Sequence, residues 1–135
     1  MKPIKLELMG LNSYTDRQSV DFEKLTSRGL FGIFGNTGSG KSTILDAITI
    51  ALYGDISRDT TDYINTSSDK AVVKFEFEIG SKNNRNRYFV ERTITNTPTG
   101  GTKTTRVLLG EIKCDGNINV LADKVGEVKN KIQEI

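Results

Sequence analysis

Gly35-Asn36-Thr37-Gly38-Ser39-Gly40-Lys41-Ser42 decides the fold, because these eight residues satisfy G-x-x-x-x-G-K-[ST], the phosphate-binding loop. The motif needs a buried strand before it and a helix after it. Upstream, Leu30-Phe31-Gly32-Ile33-Phe34 is a compact apolar run stopped by Gly35, which fits a buried strand. Downstream, Ile44, Ile48, Ala51 and Leu52 recur at helical spacing with Leu45 alongside. Gly54 stands where a helix C-terminal glycine belongs.

The residue types follow from the charge on a triphosphate, which calls for many donors at close range and little side-chain bulk. Glycines 35, 38 and 40 let the N–H groups of the loop, those of Asn36, Thr37 and Ser39 included, turn into one concavity. A helix starting near Lys41 adds unpaired N–H groups and the positive end of its dipole. Lys41 is the candidate catalytic residue, placed to reach the β- and γ-phosphates as a mobile charge. Ser42 is the candidate Mg²⁺ ligand, and Thr43 is placed to reach the α-phosphate. The implied cofactors are therefore ATP and Mg²⁺. A plain helix-capping turn also favours glycine and serine, but here every fixed position and both flanking elements agree.

Outside the loop the pattern is mostly strand. Ile4-Lys5-Leu6-Glu7-Leu8 alternates apolar and polar residues, and Ser19-Val20-Asp21-Phe22 begins a second short strand. Val73, Phe75, Phe77 and Ile79 alternate with Lys74, Glu76 and Glu78, and further strands are expected at Tyr88 to Ile94 and within Thr105 to Cys114. Turns are expected at Thr97 to Gly101 and at Asp115-Gly116. Val125, Val128, Ile132 and Ile135 predict a terminal amphipathic helix capped by Asp123. The expected organisation is a strand–loop–helix unit at 30–54, an antiparallel β layer at 72–121 and a helix at 122–135.

With 135 residues, 36% hydrophobic and 27% charged, the chain suits one folded domain. It has no membrane-length apolar run and no secretory apolar segment at its start, so no membrane partner is expected and a cytoplasmic location is the default. The absence of histidine and the single cysteine, Cys114, exclude Ser-His-Asp chemistry, His-ligated zinc and an internal disulfide for this chain by itself. The net charge of +2 is uneven: residues 51–81 hold 3 basic and 6 acidic groups, residues 82–135 hold 10 and 6.

Gly29-Leu30-Phe31-Gly32-Ile33-Phe34-Gly35, Lys41-Ser42-Thr43-Ile44-Leu45-Asp46-Ala47-Ile48 and Ala51-Leu52-Tyr53-Gly54 closely resemble the SbcC-type branch of the SMC-like, ABC-type DNA-repair ATPases. Gly10-Leu11-Asn12-Ser13-Tyr14, Phe75-Glu76-Phe77 and Tyr88-Phe89-Val90-Glu91-Arg92-Thr93-Ile94 extend the resemblance over most of the chain. The implied fold is α/β: a P-loop NTPase lobe of ABC/SMC type, with a mixed sheet around the loop helix and an antiparallel β layer beside it. In that family two halves of an ATPase head lie at opposite ends of a long chain, joined by a coiled coil. Paired heads close on ATP and work with an SbcD-like nuclease subunit on DNA ends and hairpins. The expected partners are thus the C-terminal half of the same head, a second head, the nuclease subunit and DNA.

On this view residues 1–135 are a fragment, the N-terminal lobe. The Walker B carboxylates, the signature serine motif, the glutamine loop and the switch histidine have no counterpart in the sequence. Val120-Leu121-Ala122-Asp123 has too short an apolar run for a Walker B strand. Hydrolysis by the chain alone is therefore expected to be negligible. Alternatives from other classes are a small-molecule P-loop kinase and a nucleotide-stabilised interaction module.

Weaker candidates remain. Asn12 and Ser13 occupy the place of a family loop that approaches the nucleotide, although a related branch has arginine in place of Asn12; closing a turn is an equal reading. Asn65, Thr66 and Ser67 border the nucleotide or form a surface loop. Lys82, Arg85, Arg87, Arg92, Lys103 and Arg106 are either contacts for DNA phosphates or solubilising groups of hairpin turns.

Overall fold

The computed structural model describes residues 1–11, 14–25, 41–54, 64, 68–81, 83–99 and 101–135, with the backbone alone at 41 and 42. Strands β1 (Lys2–Met9), β2 (Gln18–Asp21), β3 (Lys70–Ser81), β4 (Asn84–Asn96), β5 (Thr102–Ile112) and β6 (Ile118–Ala122) form one sheet in the order β2-β1-β3-β4-β5-β6. Helices α1 (Phe22–Leu25), α2 (Lys41–Tyr53) and α3 (Val125–Glu134) complete the described elements.

Period-two patterning sets the two faces of the sheet. Ile4, Leu6 and Leu8 of β1, Ala71, Val73, Phe75 and Phe77 of β3, and Val90 and Ile94 of β4 are all buried. They meet across the sheet because Leu6 pairs with Phe75, Leu8 with Val73, Phe75 with Val90 and Ala71 with Ile94. The rings of Phe75 and Phe77 stack at 5.4 Å, and Tyr88 lies 5.9 Å from Phe77. Each such ring contributes roughly 1.5–3 kcal/mol by leaving water. Helices α2 and α3 contribute Ala47, Ile50, Ala51 and Val128 to the same buried cluster, which leaves the opposite face of the sheet to charged residues.

Every neighbouring pair of strands in the described sheet is antiparallel. A mixed sheet is the expectation from the sequence, and the strand that would supply a parallel neighbour, at 30–34, lies outside the described residues. The antiparallel run β3 to β6 follows from tight connections, which return each strand beside its predecessor. At the β4–β5 turn, Thr97 N–H donates to the Gly101 carbonyl at 2.8 Å and Gly101 N–H donates to Thr97 Oγ1 at 3.0 Å. At the β5–β6 turn, the Asp115 carboxylate accepts from Asn117 N–H at 2.9 Å.

The helices pack most of their expected stripes on the core, with Leu45 and Val125 as the exceptions. On α2 the fully buried residues are Thr43, Ala47, Ile50, Ala51 and Leu52, while Ile44 and Ile48 are half-buried and Leu45 is 58% exposed. The contact line includes Ala47 and Ala51, whose small side chains let the helix approach the sheet closely, with Ile50 and Leu52 buried beside them. On α3 only Val128 is fully buried, and Val125 is 51% exposed. Asp123 does not cap α3: the cap position is Lys124, without a side-chain hydrogen bond, and its carbonyl accepts from Val128 N–H at 2.8 Å.

Phe89 is buried on the charged face, where β4 and β5 pair it with Gly110. Its ring occupies the space that a side chain at 110 would fill, and Lys74 Nζ stands 5.0 Å from its centroid on the other side. Gly110→Ala puts a Cβ into that ring. Urea denaturation should show a loss of about 1–3 kcal/mol, as for an overpacked core, with partial recovery when Phe89→Leu is added.

Candidate functional site

Helix α2 is described from Lys41, the lysine of the phosphate-loop motif, so the motif's last two residues lie within the helix. Its first turn contains no acidic residue, and the N–H groups and dipole of that turn present positive potential there. A triphosphate with Mg²⁺ fits this end on the chemistry of its donors. Gly35, Asn36, Thr37, Gly38, Ser39 and Gly40 lie outside the described residues, as do the side chains of Lys41 and Ser42. Thr43 is 5% exposed and shares the buried face of α2 with Ala47 and Ile50. Among the described residues, no group of three or more Asp, Glu or Cys side chains is placed to hold a metal ion.

Asn12 and Ser13 also lie outside the described residues, but the ends of their turn do not. Tyr14 N–H donates to the Leu11 carbonyl at 2.9 Å, and Leu11 forms a second bridge to Ile64. Both Leu11 and Ile64 are buried in the same cluster as Ala47 and Ile50 of α2. The fold therefore brings the chain flanking 12–13 beside the chain flanking 65–67, two candidate segments more than fifty residues apart in sequence. Residues 65–67 themselves lie outside the described residues.

Gly10 sets the entry to this turn. Its φ of 71° is in the left-handed region, and a Cβ there would overlap the Lys70 carbonyl oxygen at the start of β3.

The far end of α2 carries a residue that the sequence reading assigns elsewhere. Arg92 is 2% exposed, facing the core between its cross-strand partners Val73 and Val107. Its Nε donates to the Ala51 carbonyl in the last turn of α2 at 3.4 Å, and its Nη1 donates to Thr104 Oγ1 at 3.4 Å. Gly54, at φ 83°, closes the helix by donating to the Ile50 carbonyl at 2.7 Å. A Cβ at Gly54 would stand 3.0 Å from Arg92 Nη1, so the glycine also leaves room for the guanidinium. A cation here meets the negative end of the helix dipole. The signal was present in the sequence: Arg92 keeps phase with Tyr88, Val90 and Ile94, all on the inward side of β4.

Arg92 therefore leaves the group of candidate DNA contacts. Arg87 is held by Glu78 at 3.1 Å and Glu23 at 3.1 Å, and Arg85 lies 3.8 Å from Glu78. Partial burial works against the Arg87 charge, and the hydrogen bond and field of these carboxylates outweigh it, raising its pKa further. Lys103 and Arg106 are exposed, and Lys82 lies outside the described residues.

The model of the AAA domain family matches residues 5–134. The chain belongs to that family. Within it, the chain is SbcC-like over its full length. It is 45% identical over 136 residues to the SbcC subunit of the SbcCD nuclease of Clostridium acetobutylicum, covering 100% of this chain and 12% of that protein. The corresponding protein of Bacillus subtilis is 44% identical over 138 residues, again 100% of this chain and 12% of the relative. A probable DNA double-strand break repair Rad50 ATPase of Aquifex aeolicus is 39% identical over 97 residues, 67% of this chain and 10% of the relative. The AAA domain described here thus spans 12% of the length of the first two relatives. Among its described residues, no helix is long and apolar enough to cross a membrane.

Gly10→Ala forces a left-handed conformation on alanine and a collision with β3. It should lower unfolding stability by about 1–3 kcal/mol, read from the shift of the chemical denaturation midpoint.

Proposed function

We propose that this chain binds Mg-ATP as the N-terminal lobe of an ABC/SMC-type ATPase head, in an SbcC protein that works with an SbcD-type nuclease. The observation that carries the reading is that the motif lysine lies in α2, in an acid-free turn at the helix's described N-terminal end, in a chain similar throughout to SbcC proteins. In this reading residues 35–40 wrap the phosphates with backbone N–H groups and the start of α2 adds its own donors. The Lys41 ammonium balances charge on the β- and γ-phosphates. Ser42 holds Mg²⁺, which when bound neutralises charge on the phosphate oxygens. Thr43 lies toward the α-phosphate, and Asn12 and Ser13 close over the nucleotide from the turn that Leu11 and Tyr14 frame.

The site so assembled binds and orients, and it lacks a group to activate water. That role falls to carboxylates in the C-terminal half of the same head and to the signature segment of a second head. Hydrolysis then opens and closes the paired heads, and the nuclease partner performs the chemistry on DNA ends and hairpins in the cytoplasm. The chain by itself is a binder.

Mg-ATP at about a hundredfold excess over its Kd should stabilise the chain by about 2.7 kcal/mol, seen as a raised thermal midpoint. In Lys41→Ala the rise should vanish. An equal rise in that variant removes Lys41 from the site, and no rise in the unaltered chain rejects nucleotide binding by this lobe alone.

A further inference from the structure

The strongest unexplained feature is a buried guanidinium in a sheet core. Arg92 lies between Val73 and Val107 on neighbouring strands, where an aliphatic residue would pack without desolvating a charge. The side chain reaches past these neighbours to the last turn of α2. It donates to the Ala51 carbonyl at 3.4 Å and to Thr104 Oγ1 at 3.4 Å, and Gly54 leaves the space it needs. Three elements, α2, β4 and β5, are thereby tied at one point.

Helix α2 has 13 residues, so its two ends are about 20 Å apart. The buried side chains of α2, Thr43, Ala47, Ile50, Ala51 and Leu52, meet the rest of the core mainly through apolar contacts, which carry little direction along the helix axis. A directional contact at the C-terminal end supplies the missing restraint. We propose that Arg92 is a positioning residue: by anchoring the C-terminus of α2 to β4 and β5 it fixes where Lys41 and the first-turn N–H groups stand relative to bound triphosphate. This inference rests on the proposed nucleotide site and adds to it a residue at the opposite end of the helix.

A merely structural role and a positioning role separate in measurement. Arg92→Met keeps the aliphatic stem and removes the donors, so the chain should stay folded with little change in its urea midpoint. Its Kd for Mg-ATP, taken by calorimetry on the folded chain, should rise about tenfold. Arg92→Lys, which restores one donor, should recover part of that loss. A folded Arg92→Met with unchanged Kd overturns the proposal. If Arg92→Met does not fold, Thr104→Val removes one acceptor and should raise the Kd about threefold, whereas an unchanged Kd rejects the inference.

Amide hydrogen exchange gives a test independent of nucleotide. In Arg92→Met, or in Thr104→Val where that variant does not fold, protection should fall along the whole of α2, reaching residues 43–46. Loss confined to residues 50–53 overturns the proposal even in a chain that never binds ATP. Absence of binding by the unaltered chain instead rejects the nucleotide reading and leaves the exchange result to decide on Arg92.

Discussion

The inward face of β1, β3 and β4 is the constraint on which the remaining structure depends. Leu6, Leu8, Val73, Phe75, Phe77 and Val90 belong to one apolar cluster, and whatever packs on it has its orientation decided there. Helix α2 lies against it through Ala47, Ile50 and Ala51, which fixes the orientation of the helix that carries the motif lysine. Leu11 and Ile64 join the same cluster, so the turn at 12–13 is placed by the packing that places the helix. The site is assembled around a core whose residues have no chemistry of their own.

Much of this was legible in the sequence, for reasons that differ from element to element. The alternation Val73, Phe75, Phe77 lies within β3 because a strand with one wet face must repeat every two residues. The Thr97–Gly101 and Asp115–Gly116 turns announce themselves through residues that bond their own backbone. The phosphate-loop motif predicts a helix on its C-terminal side, and α2 contains its lysine. The rotation of α2 was less legible, since adjacent residues on a helix point only 100° apart and both Leu45 and Ile48 are apolar. Only the sheet selects the alanine line. Asp123 misled because its residue type suits a cap, whereas the backbone enters α3 one position later. Arg92 was hidden by composition: a basic residue in a basic region reads as surface until its phase along β4 is counted.

The outward face is organised differently. Lys5, Glu7, Lys74, Glu76, Glu78 and Arg87 form cross-strand and along-strand ion pairs that are partly exposed, each worth less than about 1 kcal/mol. Phe89, a large apolar side chain buried there, lies beneath Lys74 and over Gly110, so its burial is local.

Strand order has a consequence for how the chain is made. β1 precedes the other described strands in the chain, yet in the finished sheet it lies inside, between β2 and β3. Its β3 neighbour begins at Lys70, so during synthesis the apolar edge of Leu6 and Leu8 waits for more than sixty residues to be added. The short hairpin with β2 shields one side in the meantime, and the other stays open to chaperones or to a neighbouring nascent chain. The later strands pair with their sequence neighbours, so β1–β3 is the strand pairing that spans the longest stretch of chain among the described elements.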